Sequence, residues 1–324
     1  MKIIRPVLQL VLTAMALTSA GAFAQADYPN RPVKIIVPFA AGGPADIYAR
    51  FIAQRLTTEL KQAFIVDDRP GAGSIIGTDA VAKAPADGYT LLMMSNTHTV
   101  NESLVPNKPF KLMDDFAAIA PVNYSDLMLV VHPSVPARNL AELLALARSK
   151  PGKLNYASSG TGTPYHMAGE LFKYMAGVKI THIPYKGSSG ARTDVVGGQV
   201  DMMFDAVTTM APLAKEGKVR GLATTGKTRN AITPDLPTVA EAGVPKYEAT
   251  IWLGLMAPKN TPPEIVNKLN AEIRKIVAQP DVKATWASQG AVPMSMTVPE
   301  FQQYLKDDIA KWANIVKISG AKPE

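Results

Sequence analysis

Short, nearly continuous apolar runs alternate along this chain with segments whose apolar residues recur every three or four positions. The runs at 33–39, 64–66, 90–94, 127–131, 154–157, 179–183, 201–204 and 221–224 read as buried strands. Between them, Ala49, Ile52, Ala53, Leu56 and Leu60 form one helical stripe, and Leu140, Leu143, Leu144 and Ala147 form another. The second stripe opens with Asn139-x-x-Glu142, the spacing of a capping box. Such strand–helix alternation predicts an α/β fold with parallel sheets flanked by helices.

The final quarter has a different rhythm. After a strand at 251–257, Thr261-Pro-Pro-Glu264 predicts a capping box opening a helix with Val266, Leu269, Ile273, Ile276 and Val277 on one side. Thr297-x-x-Glu300 opens another, carrying Phe301, Leu305, Ile309, Trp312 and Val316. These helices have few strands of their own to cover, so they are expected to pack on the sheet formed by the N-terminal part. One domain is then discontinuous, with a second inserted between two crossover strands.

The first residues read as an address. Lys2 and Arg5 precede an apolar stretch from Val7 to Leu17, and Ala22-Phe-Ala24 supplies the small-x-small cleavage pattern. That stretch is too short for a membrane helix, which needs about 20 residues. Residues 1–24 are therefore expected to be a signal peptide cleaved near Ala24, giving an exported, periplasmic chain. Losing Lys2 and Arg5 takes the formal charge from +7 to +5. The remaining basic residues form no aromatic-laced patch, which argues against nucleic acid. Zero cysteines exclude disulfides, thiolate metal sites and thiol nucleophiles. No metal and no cofactor are expected, and with no exposed apolar stripe evident the chain reads as a monomer.

Candidate chemistry collects in four turns between strands and helices, built from glycine and small polar residues: 38–46, 157–166, 185–191 and 205–209. Ligands in open parallel sheets sit at such turns, where helix N-termini offer free N–H groups. Prolines 44, 164 and 212 lie in or near first turns, where a missing N–H costs nothing. Several such termini around one cleft would hold an anion without a dedicated Lys or Arg. Enzyme constellations are weak. There is no Gly-x-Ser-x-Gly, no His-Glu-x-x-His and no Walker loop. Gly71-Ala-Gly-Ser-Ile-Ile-Gly77 misses the dinucleotide spacing and follows Arg69-Pro70 rather than a strand. Of four histidines, His98 and His166 lie in the cleft turns.

The motifs together are specific. Tyr28-Pro-x-Arg-Pro-Val-Lys-Ile-Ile-Val-Pro-Phe39, Gly42-Gly43 with Asp46 and Arg50, Arg69-Pro-Gly-Ala-Gly73, and Asp87-Gly-Tyr-Thr-Leu-Leu92 come first. Gly152-Lys-Leu-Asn-Tyr-Ala-Ser-Ser-Gly160 with His166, Pro184-Tyr-Lys-Gly187, Gly198-Gln-Val-Asp-Met-Met-Phe-Asp205 and Pro237-Thr-Val-Ala-Glu-Ala-Gly243 follow. Across essentially the whole mature chain the sequence resembles the Bug family, substrate-binding receptors of tripartite tricarboxylate transporters. It departs from common members at Glu102, where proline usually follows the Asn, and at Asn96 and Val207.

The resemblance implies a two-lobed type II periplasmic-binding-protein fold joined by two crossover strands. Lobe 1 is placed at 27–128 and 253–324, lobe 2 at 129–252, with crossings near 127–133 and 251–258. It implies a receptor, not an enzyme. The ligand is a small organic acid: a di- or tricarboxylate, an acidic amino acid or an aromatic carboxylate. The partners are the large and small membrane subunits of the transporter. Carried over, the ligand-binding residues are Phe39, Ala41, Gly42, Gly43 and Asp46, with Ser95, Thr97 and His98 on the first lobe. On the second they are Ser158, Thr161, Gly162, Thr163 and His166, with Tyr185, Gly187 and Asp205. Asp46 and Asp205 are acceptors only, expected to cap helices or order waters. Lys186 reads as a surface salt bridge or an anion contact, and Trp252 as a cleft wall or core residue. A sensor subunit for a membrane kinase would share this sequence. A secreted hydrolase or lyase would need Ser158 or Ser159 paired with His166.

Overall fold

The computed structural model describes residues 28–323; the expected signal peptide lies outside the described residues. Strand β1 (Val33–Val37) turns Val33, Ile35 and Val37 into one core and Ile36 into another. Both faces are buried, which is why the run is apolar throughout rather than alternating. Strands β2 (Phe64–Asp68) and β3 (Thr90–Ser95) flank it in parallel.

Strand β4 (Phe116–Val131) spans 16 residues and changes partners part-way. As far as Asp126 it runs antiparallel to β9 (Thr250–Pro258), which in turn pairs antiparallel with β3. From Leu127 onward β4 pairs instead with β7 (Met202–Ala206) and β8 (Arg220–Thr224). Strand β5 (Asn155–Ser158) lies parallel to both β7 and β6 (Thr181–Pro184). The spatial order is β2-β1-β3-β9-β4-β7-β5-β6, and β10 (Ala291–Pro293) also joins β4. Thr225 ties the two passages between lobes together. Its N–H donates to Leu127 O (2.9 Å), its hydroxyl accepts from Leu127 N (2.7 Å), and Ala249 N donates to its carbonyl (3.1 Å).

The sequence pattern exposes only the last five residues of β4. Register shifts at Ala118/Ala120 and Pro121/Asn123 break the alternation of the first half, and the proline sits at one of these irregularities, where no ladder N–H is demanded.

Helices cover both faces. α1 (Pro44–Leu60) buries Ala49, Ile52, Ala53 and Leu56. α2 (Ile75–Ala82), α3 (Asn96–Leu104) and the short α4 (Leu112–Asp115) complete the first part. α5 (Leu140–Ser149) buries its expected stripe, and Asn139 Oδ1 accepts from Glu142 N at 2.9 Å. α6 (Pro164–Ala176), α7 (Ser188–Val196) and α8 (Val207–Lys215) follow strands β5, β6 and β7. Pro164 opens α6 as expected, but Pro212 lies inside α8, which begins earlier than its position suggests.

The C-terminal helices α9 (Pro263–Ala278), α10 (Pro280–Ala287) and α11 (Val298–Ser319) return to the first lobe. There α9 contacts α1 and β4, and α11 contacts α3 and β4. Thr297 and Glu300 form both halves of their capping box. Thr261 and Glu264 do not: α9 starts after Pro262, and the Thr261 hydroxyl donates to Pro258 O at 2.8 Å. Trp252 is a core residue, packed edge-on against Phe301 and Tyr304, with its indole N–H on Asp308 at 3.1 Å.

Candidate functional site

The carboxyl ends of β1, β3, β5 and β6 feed turns that meet in the gap between the lobes. A cavity of about 20 Å3, room for little more than one water, is lined there by residues of both. Phe39, Ala40, Gly43, Pro44, Ala45 and Ser95 come from the first lobe, Ser159, Pro164, Tyr165 and Ser188 from the second, and Ile251 from the start of β9, at the passage between them. Four helices begin at its edge, with N-caps Gly43 (α1), Ser95 (α3), Thr163 (α6) and Gly187 (α7). The two glycine caps bring no side chain to their first-turn N–H groups, which leaves those donors and the helix dipoles for a ligand.

The lobes meet closely. A Cβ on Gly187 would lie 2.6 Å from Ala40 Cβ and 3.0 Å from Ala40 N, and a Cβ on Gly43 would lie 2.9 Å from Ser188 Oγ. Glycine is needed at 187 for this approach, not for its backbone angles, since its φ of 174° is ordinary extended chain.

On the first lobe, polar side chains support the turns. Asp46 accepts from Gly42 N (2.8 Å) and pairs with Arg50 (2.5 Å), which also reaches Asp68 (2.8 Å). Ser95 caps α3 by accepting from Thr97 N at 3.2 Å. Ser95 N in turn donates to His98 Nδ1 (3.2 Å), and His98 Nε2 meets Thr78 Oγ1 (2.9 Å). His98 is wholly buried, and burial lowers its pKa to about 4. Thr97 and His98, expected among the ligand contacts, thus stand behind Ser95 rather than in the cavity lining. Ala41 and Gly42 are exposed on the rim.

The second lobe is richer in side-chain chemistry. Ser158 Oγ accepts from Gly160 N (3.1 Å) and bonds His182 Nε2 at 2.6 Å. The His182 ring stacks on His166 with centroids 4.2 Å apart. His166 Nδ1 accepts from Gly162 N at 3.1 Å; burial, then the His182 and Lys173 charges, lower its pKa to about 3. The serine's histidine partner is thus His182 and not His166, and Ser158 is completely buried. Such a pair shapes the turn and presents no nucleophile to the cleft. Asp205 is fully buried under Arg192, whose Nε and Nη2 donate to Oδ2 at 3.2 and 3.1 Å, with Ala206 N on Oδ1 at 2.8 Å. Burial still raises its pKa, against the opposing pull of Arg192. Arg192 also reaches Ser188 Oγ at 3.4 Å. Tyr165 lies beside this carboxylate, and burial, then that charge, raise its phenol well above the ordinary range.

Of the remaining expected residues, Thr161 and Tyr185 line a neighbouring cavity of about 350 Å3, while Gly162 and Thr163 are buried in the α6 turn. Sequence reasoning did not single out Ala40, Tyr165, Ser188, Arg192 or His182 as contacts or supports. Ser188 could have been found as the residue following a Gly cap in a turn already marked. The others depend on which strands lie side by side.

The sequence model of the tripartite tricarboxylate transporter family receptors matches residues 48–321. The chain belongs to this family. BugT of Bordetella pertussis is 38% identical over 297 residues, covering 91% of each chain. A solved structure of R. palustris Rpa4515 with adipate superposes with a TM-score of 0.89 at 35% identity, covering 92% of this chain and 100% of that one. MatC from Rhodopseudomonas palustris with bound malate gives 0.85 at 31% identity, covering 89% and 100%. The fold is thus the two-lobed one of periplasmic binding proteins, and the family comprises periplasmic solute receptors rather than enzymes. Among the described residues, no helix is long and apolar enough to cross a membrane. Nor do three or more His, Asp or Glu side chains gather as metal ligands among them.

Proposed function

We propose that this receptor captures a small organic carboxylate between its lobes and delivers it to the membrane subunits of a tripartite transporter. The observation that carries the reading is the meeting of four helix N-termini, two of them glycine-capped, around an interlobe cavity with no acidic side chain in its lining. Amides in such an arrangement donate charge-assisted hydrogen bonds to a carboxylate. Adipate and malate, bound by the two structural relatives, belong to the same ligand class.

The cavity is nearly filled in the closed arrangement, so the lobes must part to admit a ligand. Strand β4's change of partner between Asp126 and Leu127 supports a division into lobe 1 at 27–128 with 253–324 and lobe 2 at 129–252. The contacting groups are Phe39, Gly43, Ser95, Ser159 and Ser188, with the remaining turn residues orienting them. Export to the periplasm, with cleavage near Ala24, belongs to the same reading.

The test is thermal unfolding of protein refolded to remove bound ligand, against di- and tricarboxylates, acidic amino acids and aromatic acids. A true ligand at 100 times its Kd adds about 2.7 kcal/mol, several degrees in Tm. No shift with any carboxylate overturns the reading. Comparing uptake of the responding acid with induction by it, in cells lacking the gene, separates transport from sensing.

A further inference from the structure

On the division above, Tyr48 belongs to the first lobe and Thr208 to the second, one in the second turn of α1 and the other in the first turn of α8. Their side-chain oxygens are 3.2 Å apart. Tyr48 also donates to Gln289 Oε1, on its own lobe, at 3.4 Å. A phenol has a single proton, so with that proton on the amide its oxygen accepts from the Thr208 hydroxyl. None of the three residues lines the narrow cleft; Thr208 and Gln289 line an outer groove of about 900 Å3 instead. The bond therefore joins the lobes at a place the ligand does not occupy.

Each end of the bond is fixed to its own lobe. Tyr48 is 2% exposed and its ring stands edge-on to Trp286 of α10, with centroids 5.3 Å apart, so the phenol has no room to swing after a departing partner. Thr208 comes two residues after Ala206, the end of β7, which pairs with Leu127 of β4. The chain just past Gln289 presses on the same part of the second lobe. A Cβ on Gly290 would lie 3.0 Å from Ile232 Cδ1 and 3.1 Å from Val207 Cγ1. Ser125 Oγ, on the first lobe, donates to Gly290 O at 3.1 Å and holds it there. Rotation of one lobe against the other moves the two oxygens relative to each other, and a separation beyond about 3.5 Å ends the bond.

We propose that Tyr48 is a positioning residue for capture, a latch that holds the lobes closed through Thr208 without touching the ligand. The inference rests on the receptor reading above and concerns how tightly the lobes close rather than which acid they choose. The bond is made only when the lobes meet, so it favours the closed state by the same amount whatever lies in the cleft. Apparent affinity includes the cost of closing, so loss of the bond weakens every ligand by one common factor. Loss of a group that touches the ligand changes the ranking of the acids instead.

Isothermal titration of the refolded protein with malate, adipate, citrate, glutamate and benzoate tests this on Tyr48→Phe, Thr208→Val and the double variant. For each acid that the unaltered chain binds, Tyr48→Phe is expected to raise Kd about 2- to 10-fold, the scale of one net hydrogen bond, by the same factor for every acid. Thr208→Val is expected to do likewise. The double variant should lose no more than either single one, since both remove the same bond. Thr208→Val leaves the bond from Tyr48 to Gln289 in place, so unfolding of the ligand-free protein in denaturant should not change. Additive losses, factors that differ between acids, a matching loss of ligand-free stability or no loss at all overturn the latch and leave the receptor reading standing. Binding of none of these acids by the unaltered chain overturns both.

Discussion

On the first lobe, the groups that reach the narrow cleft are Phe39, Ala40, Gly43, Pro44, Ala45 and Ser95, chiefly main chain and apolar surface. Its charged groups are used up among themselves, Asp46 and Asp68 both holding Arg50. On the second lobe, Ser159, Tyr165 and Ser188 enter the cleft, with Arg192 and Asp205 behind Ser188 and Lys186 at the rim. The first wall can register that a carboxylate is present but has few side chains with which to tell one acid from another. The second carries the groups that can discriminate, held by a buried charge pair.

The largest effect should come from breaking that pair. Arg192→Leu strands the buried Asp205 carboxylate and is expected to cost about 3–5 kcal/mol in unfolding free energy. Adding Asp205→Asn to the same chain should recover much of it. If denaturant unfolding finds single and double variants equal, the second wall does not depend on its ion pair.

Closure comes next. Gly187→Val sets a side chain against Ala40 across the cleft without straining its own lobe. Overpacking of about 1–3 kcal/mol predicts about 5- to 150-fold weaker ligand binding with unfolding of the ligand-free protein little changed. Gly43→Ala meets only the movable Ser188 hydroxyl and should do less. Equal losses by titration would erase the asymmetry.

Each wall also buries a neutral histidine, His98 in the first and His166 in the second. Below pH 6.5 the unfolded chain protonates them and the folded chain does not. Stability is therefore full above about pH 6.5 and falls as pH drops, toward about 4 for His98 and about 3 for His166. Each contributes roughly 1.4 kcal/mol per pH unit in that window. His98→Gln and His166→Gln should each flatten the stability–pH slope by that amount, and an unchanged slope would show the ring already charged in the fold. The smallest effect is expected at Arg50→Ala. It removes a half-exposed guanidinium from the Asp46 and Asp68 carboxylates, Asp46 keeping its bond from Gly42 N, so the loss should be smaller than at Arg192 and leave ligand preference unchanged.

Elements whose signals are local were legible in the sequence. Asn139 and Thr297 announce their helices, and Ile35–Val37 declares a strand buried on both faces. What failed locally did so for identifiable reasons: the Thr261 hydroxyl found a nearer acceptor, and Pro121 and the register shifts hid half of β4. The motif residues led to the cleft turns, but their depth was not readable. His98 and Ser158 look like contacts in one dimension and are buried supports in three. The Ser158–His182 bond exists because β5 and β6 lie side by side, with Ser158 opposite Pro184. Turn 71–74 resembles a nucleotide motif in one dimension; that it shares a cavity with Lys186 depends on how the lobes meet.

The shared tie at Thr225 has a mechanical consequence. Because Leu127 and Ala249 hang on the same residue, the two passages between lobes are tied to each other where they cross. Strand β4 exchanges β9 for β7 at Asp126–Leu127, so a swing at that peptide leaves both pairings in place. Opening is then rotation of two rigid bodies rather than local melting, and β4 amide protons should exchange equally slowly with ligand bound or absent.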